Sequence, residues 1–188
     1  MAKRNLLRSQ LQAAWQQTIR GPYADQLINS ERGLQVHFCM ELLRQFSSDD
    51  CTRRLFIEPG VVFDDGVHRS PDLLICNSCR IIGVVEFKYT PRMTPKVVKD
   101  LNTLCRLSLL SIDITISNAR FRGEGVPRHY SIASDAVLCW AGVHASNDFE
   151  FLRNMVDQLG GRFLCLEAVT QPESQAEIRT SSKPRTHI

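Results

Sequence analysis

No apolar stretch in this chain approaches the roughly 18 residues that mark a membrane-spanning helix, so a membrane protein built on helices is not expected. The opening run MAKRNLLRSQLQAAW carries charge but no long apolar segment and no small-residue cleavage site, and no signal peptide is read there. A strong bias of charge is also missing. The formal net charge is +3 and the pI about 8.5, below the value of about 9 above which dedicated nucleic-acid-binding domains usually lie. Such a balance permits a nucleic-acid partner without requiring one. There are no internal repeats. Cysteine is present seven times, an odd number, mostly inside apolar runs such as HFCMELL and AVLCWAG. Free buried thiols in a reducing cytoplasm fit that usage better than a disulfide framework. The one CxxC, Cys76-Asn-Ser-Cys79, lacks a second CxxC or a His pair at suitable spacing. A tetrahedral zinc site needs four ligands, so the two cysteines read as a cross-strand thiol pair.

What is present is enough for one domain: 188 residues, 43% of them apolar. Leu7, Leu11, Ala14, Trp15 and Ile19 have helical spacing, and Gly21-Pro22 should end that first helix. Ser30 reads as the N-cap of a second helix running to about Phe46. A strand is expected over Leu55–Phe63, bent at Pro59 and Gly60, and a turn at Asp64-Asp65-Gly66. Pro71–Cys76 and Arg80–Tyr89 form two β-rich runs around Asn77-Ser78, a hairpin. Thr94 and Pro95 open a third helix to about Leu110, and Asp113–Ile116 is a short strand. A long loop follows to Asp135, then a strand at Ala136–Val143, a helix at Asn147–Leu159 and a final strand at Arg162–Val169. Residues 171–188 are polar and are expected to be a disordered tail. The sum is an α/β domain over residues 1–170, a mixed central sheet flanked by helices, with residues 1–29 a helical extension.

The chemistry concentrates in Arg69-Ser-Pro-Asp72 and Ile82-Gly-Val-Val-Glu86-Phe-Lys88-Tyr. Residues two apart in a strand project from one face, so Glu86 and Lys88 share a side while Val85 and Phe87 point into the core. The hairpin can bring Asp72 beside Glu86. Carboxylates at close range raise each other's pKa unless a cation lies between them. Mg²⁺ suits such a pair, since it takes oxygen ligands, often one or two carboxylates, and completes its shell with water and substrate phosphate. Lys88 could then position a water or stabilise developing negative charge. The bland alternative is a surface ion pair worth about 0–1 kcal/mol. It is disfavoured because Ile82, Val84, Val85 and Phe87 occupy both faces of the run, as in a central strand.

Pro71-Asp72 followed, after 13 intervening residues, by Glu86-Phe87-Lys88 resembles the motif of the PD-(D/E)xK nuclease superfamily. The resemblance covers about residues 30–143 and implies a restriction-endonuclease-like α-β-β-β-α-β core. It implies that Asp72, Glu86 and the carbonyl of Phe87 bind Mg²⁺ or Mn²⁺ and that Lys88 serves catalysis. The activity so implied is metal-dependent hydrolysis of nucleic-acid phosphodiesters, DNA above RNA. Many such nucleases carry a glutamate on the preceding helix that approaches the metal. On the wheel of residues 30–46 an apolar arc is formed by Leu34, Phe38, Leu42, Phe46, Cys39, Leu43, Val36 and Met40. Glu31 and Gln35 fall inside it, whereas Glu41 lies with His37 and Arg44. Glu31 is therefore the candidate for that glutamate, with Gln35 in support, although first-turn acids are also favoured by the helix dipole alone.

Lys96 and Lys99, on the third helix, are candidate phosphate contacts; the plainer reading is a solvated face, with Lys96 paired to Asp100 four residues on. Arg120, Arg122, Arg128 and His129 form a modest basic loop, either an ordinary surface loop or a backbone clamp on nucleic acid. Glu58 could face the same pocket, though a strand-end carboxylate is usually just solvated. Two rivals stand beside the nuclease: a catalytically silent domain of the same fold acting as an interaction module, and an α/β interaction protein carrying a chance motif. The second requires Asp72 and Glu86 to lie far apart. Homodimerisation is left open.

Overall fold

The computed structural model describes residues 2–62, 68–78, 80–109, 113–117, 129–146 and 159–181. The basic residues Arg120, Arg122 and Arg128, the turn at 64–66, Cys79, residues 147–158 of the expected fourth helix and residues 182–188 lie outside that set. In chain order the helices are α1 (Ala2–Thr18), α2 (Glu31–Ser48) and α3 (Val98–Leu109). The strands are β1 (Arg54–Ile57), β2 (Gly60–Val62), β3 (His68–Arg69), β4 (Leu73–Asn77), β5 (Arg80–Thr90), β6 (Asp113–Ser117), β7 (His129–His144), β8 (Phe163–Val169) and β9 (Glu177–Ser181).

Six strands form the main mixed sheet in the order β1-β4-β5-β7-β8-β9. β5, β7 and β8 run parallel at its centre, and the remaining pairs are antiparallel. β6 joins the first residues of β7 and carries β2 and β3 beyond it. Helices cover both faces. Leu7, Leu11, Ala14 and Trp15 of α1 and Leu34, Phe38 and Leu42 of α2 pack with Val85, Phe87 and Cys139 on one side. Leu101, Leu104 and Leu107 of α3 pack with Leu74, Val84 and Trp140 on the other. A parallel centre needs both faces covered, and the apolar residues on either side of β5 reflect that.

Several local expectations are corrected. Gly21-Pro22 does not stop the first helix: it widens into a π turn over Ile19–Tyr23 that contains Pro22. Ala24 N–H donates to Ile19 and Leu27 N–H to Pro22, each five residues back. The wider turn accommodates a ring that would clash in an α-helical turn. Ser30 does cap α2, its hydroxyl accepting from Gly33 N–H at 3.1 Å, but the buried arc is narrower than the wheel suggested, and Val36, Met40 and Leu43 are exposed.

The expected strand 55–63 is divided. Glu58 takes φ +44°, and β1 and β2 join different parts of the sheet; Phe63 lies outside the described residues. α3 begins at Val98, not at Pro95, which places Asp100 in its first turn where the dipole favours an acid. Residues 129–135, expected as loop, are strand. Between the pairs Ile81↔Ile132 and Gly83↔Val137, β7 carries three more residues than β5, a bulge that breaks the alternation a strand would show. Residues 171–181 of the expected disordered tail are placed, and β8 is not the last strand. β9 pairs antiparallel with it from Val169↔Glu177 to Cys165↔Ser181, with Ile178 against the core and polar neighbours on either side, as suits an edge strand. Among the described residues no helix is long and apolar enough to cross a membrane.

Candidate active site

The site grows from a mismatch in strand length. β4 begins at Leu73, opposite Val85, so among the described residues β5 runs on from Glu86 with no strand on its β4 side. Backbone N–H groups left on such an edge need partners, and two carboxylates supply them. Asp72 Oδ2 accepts from Phe87 N–H at 2.7 Å, and Glu31 Oε2 accepts from Tyr89 N–H at 3.1 Å. N–H and C=O of one strand residue lie on the same edge, so the Phe87 carbonyl shares the edge that Asp72 caps.

Asp72 is itself fixed. Its backbone carbonyl accepts from Gln35 Nε2 at 2.8 Å and from Glu58 N–H at 3.0 Å. Gln35 is buried on α2, and Phe38 one turn on stacks edge-to-face with Phe87 at 5.2 Å between centroids. The helix thus aligns the start of β4 against β5. Glu58 acts through its backbone, while its side chain reaches Arg32 at 3.4 Å.

Glu86 and Lys88 project toward α3. Glu86 is only 6% exposed, and its carboxyl lies within hydrogen-bonding reach of Asp72. Burial, then the charges of Asp72 and Asp100, push Glu86 up to about 9. Burial likewise raises Asp72 to about 6, against the lowering effect of the Phe87 N–H. Near neutral pH the pair therefore holds one proton, mainly on Glu86. Among the described residues Glu86 Oε1 has no hydrogen-bond partner although it is sealed from solvent.

Lys88 lies beside this pair but is engaged elsewhere. Its Nζ is 3.4 Å from Asp100 Oδ2 and 3.7 Å from Glu31 Oε2. Burial alone would lower Lys88, but Asp100, Glu31 and Asp72 outweigh it and leave the ammonium above its ordinary value. Asp100 was not singled out from sequence, and its expected pairing with Lys96 is not formed. It is buried on α3, raised by burial and held down in part by Lys88 and by the neighbouring Trp140 indole. Its signal was its place on the inward stripe with Leu101, Leu104 and Leu107.

Of the sequence candidates, Asp72, Glu86, Phe87, Gln35, Lys88 and Glu31 converge, Glu31 through Lys88 and Tyr89 rather than through the acid pair. Lys96 and Lys99 are exposed near the N-terminal end of α3, and the charge of Lys99 acts on Glu86. Among the described residues no three His, Cys, Asp or Glu side chains are grouped as a ready ligand shell. The donors on hand for a cation are the two carboxyls and the Phe87 carbonyl. Compared with protein-family models, curated proteins and solved structures, the chain matches none.

Proposed function

We propose that this chain is a divalent-metal-dependent nuclease of the PD-(D/E)xK type, hydrolysing phosphodiester bonds of nucleic acid, DNA in the first instance. The observation that carries the reading is Asp72 set against the buried Glu86, whose Oε1 is unpartnered among the described residues, with Lys88 two residues further on the same face. A buried carboxyl oxygen without a partner is costly, and a cation between the two groups removes both that cost and their repulsion. Two carboxylates suit Mg²⁺ or Mn²⁺, which keeps water and substrate oxygens in the rest of its shell. The order α2-β1-β4-β5-α3-β7, with β2, β3 and β6 as additions, agrees with the α-β-β-β-α-β core of such enzymes.

In this reading Asp72, Glu86 and the Phe87 carbonyl hold the cation. When bound, it supplies Lewis acidity and counter-charge toward the scissile phosphate. Asp72 is kept in place by Gln35 and by the Phe87 and Glu58 N–H groups. Lys88, held charged by Asp100 and Glu31, orients the attacking water or donates to an anionic phosphate oxygen. Glu31 sets the position of Lys88 while closing the free edge at Tyr89.

A second reading, the same fold as a non-catalytic nucleic-acid module, is favoured by the turn of Lys88 toward Asp100 and Glu31 and by the lack of a three-ligand group among the described residues. Incubating plasmid and labelled oligonucleotides with Mg²⁺, Mn²⁺ or EDTA, alongside Lys88→Ala and Glu86→Gln, separates the two. Metal-dependent cleavage lost in both variants supports the enzyme. Binding without cleavage in any metal supports the module.

A further inference from the structure

Beside the acid pair, α3 and the segment before it border an open groove of about 700 Å³. Among the described residues, four of the nine that line it are cations, Arg69, Lys96, Lys99 and Arg106, and none of the nine is acidic. Those described residues carry a formal +4. A merely solvated helix face mixes signs, whereas the acid of α3, Asp100, is turned inward to Lys88. A cleft lined by one sign of charge focuses field and gathers counter-charge.

The cations are also ordered. Lys99, Asn102 and Arg106 recur at three and four residues along α3, a single stripe. At about 1.5 Å per residue, Lys99 and Arg106 are roughly 10 Å apart along the axis. That span matches about three nucleotides of a duplex strand at about 3.4 Å each. Arg69 stands three residues before Asp72, and the charge of Lys99 is felt at Glu86, so the stripe begins within electrostatic reach of the acid pair.

We infer that this groove is the track for a polynucleotide backbone, with Arg69, Lys99 and Arg106 each contacting a phosphate on one side of the bond presented to Asp72 and Glu86. The inference rests on the nuclease reading and deepens it: the substrate is a strand of several phosphates, not an isolated phosphodiester. It adds Arg69 and Arg106 to the lysines that sequence suggested.

The test measures binding in EDTA, where no cleavage occurs. Fluorescein-labelled 20-base-pair DNA and RNA duplexes are titrated by anisotropy at several salt concentrations with wild type, Arg69→Ala, Arg106→Ala and Lys99→Ala/Arg106→Ala. For each phosphate that is no longer neutralised, the slope of log affinity against log salt is expected to shrink by about 0.9, whichever duplex binds, and the double variant should shrink it by about twice as much. Arg69 and Lys99 are exposed and Arg106 partly so, and circular dichroism verifies that each variant is folded. An unchanged slope in the folded double variant overturns the proposal. Displacement of duplex by poly-glutamate at equal charge concentration also overturns it, since the groove then reads only negative charge. A separate arm, wild-type hydrolysis of bis(p-nitrophenyl) phosphate and of the duplexes with Mg²⁺ or Mn²⁺, judges the chemistry. Reduced slopes without any hydrolysis uphold the groove and reject the nuclease; hydrolysis with unchanged slopes does the reverse.

Discussion

Asp72 accepts the backbone N–H of Phe87 at 2.7 Å, so the residue offered as a metal ligand also serves as the missing strand partner of β5. The two roles separate by substitution. Asp72→Asn keeps an acceptor for Phe87 but removes the charge. Asp72→Ala removes both and leaves a part-buried N–H unpaired, a cost of about 1–3 kcal/mol. Both variants are expected to lose metal-dependent cleavage, while urea denaturation in EDTA finds Asp72→Ala less stable than Asp72→Asn by about that amount. Equal stability of the two would deny Asp72 its structural role.

The acid pair makes metal-free stability depend on pH with a definite sign. Asp72 at about 6 and Glu86 at about 9 lie above the unfolded values of about 4, because burial disfavours their charged forms. The native state then retains protons that the unfolded chain releases. Their contribution is complete below about pH 4 and is lost as pH rises through about 6 for Asp72 and about 9 for Glu86. Melting in EDTA should therefore fall steadily from pH 5 to pH 9, with Mg²⁺ restoring stability most at the alkaline end. Near pH 7, calorimetry in buffers of different ionisation enthalpy should find about one proton released per cation bound, chiefly from Glu86. A flat melting profile, or binding without proton release, contradicts the coupled pair.

Much of this centre was legible in the chain, for reasons that also explain what was not. The short turn around Asn77-Ser78 fixes the register of the hairpin, and with it the approach of Asp72 to Glu86. Ser30 and the apolar stripe of α2 fixed the placement of Gln35. Asp100 was hidden because Lys96 offered it an ordinary surface partner four residues away, although an acid on an inward stripe is the same signal that singled out Glu31. The first half of β7 was obscured by its bulge, and β9 by the polarity normal in an edge strand. The free edge of β5 could not be read at all, since it arises from where two strands stop relative to each other.

Lys88 and Asp100 should prove energetically coupled. Removing either leaves the other's charge in a largely desolvated place, whereas removing both does not. Lys88→Met and Asp100→Asn are each expected to destabilise by about 1–3 kcal/mol, and the double variant by less than their sum, with a coupling of about 0.5–3 kcal/mol. Chemical denaturation of the four proteins at pH 7 measures it. Strict additivity would show that the 3.4 Å approach carries no energy.

The support behind Asp100 runs to a glycine. A Cβ on Gly142 would lie 2.1 Å from the Trp140 ring, so the indole keeps its place across β7 only because residue 142 has no side chain. The Trp140 indole helps to hold the charge of Asp100, Asp100 pairs with Lys88, and Gly142 itself stands opposite Lys88 in the parallel register. Gly142→Ala must therefore shift the ring or bend the strand, at about 1–3 kcal/mol as for other overpacked cores. Because either change disturbs the support of Asp100 and Lys88, the loss should extend to activity: cleavage falls while duplex binding in EDTA, which depends on the outer face of α3, is retained. Tryptophan fluorescence should report the ring's movement directly. A variant with wild-type emission and wild-type stability would show that residue 142 places no constraint on Trp140, and the chain from glycine to lysine would fail at its first link.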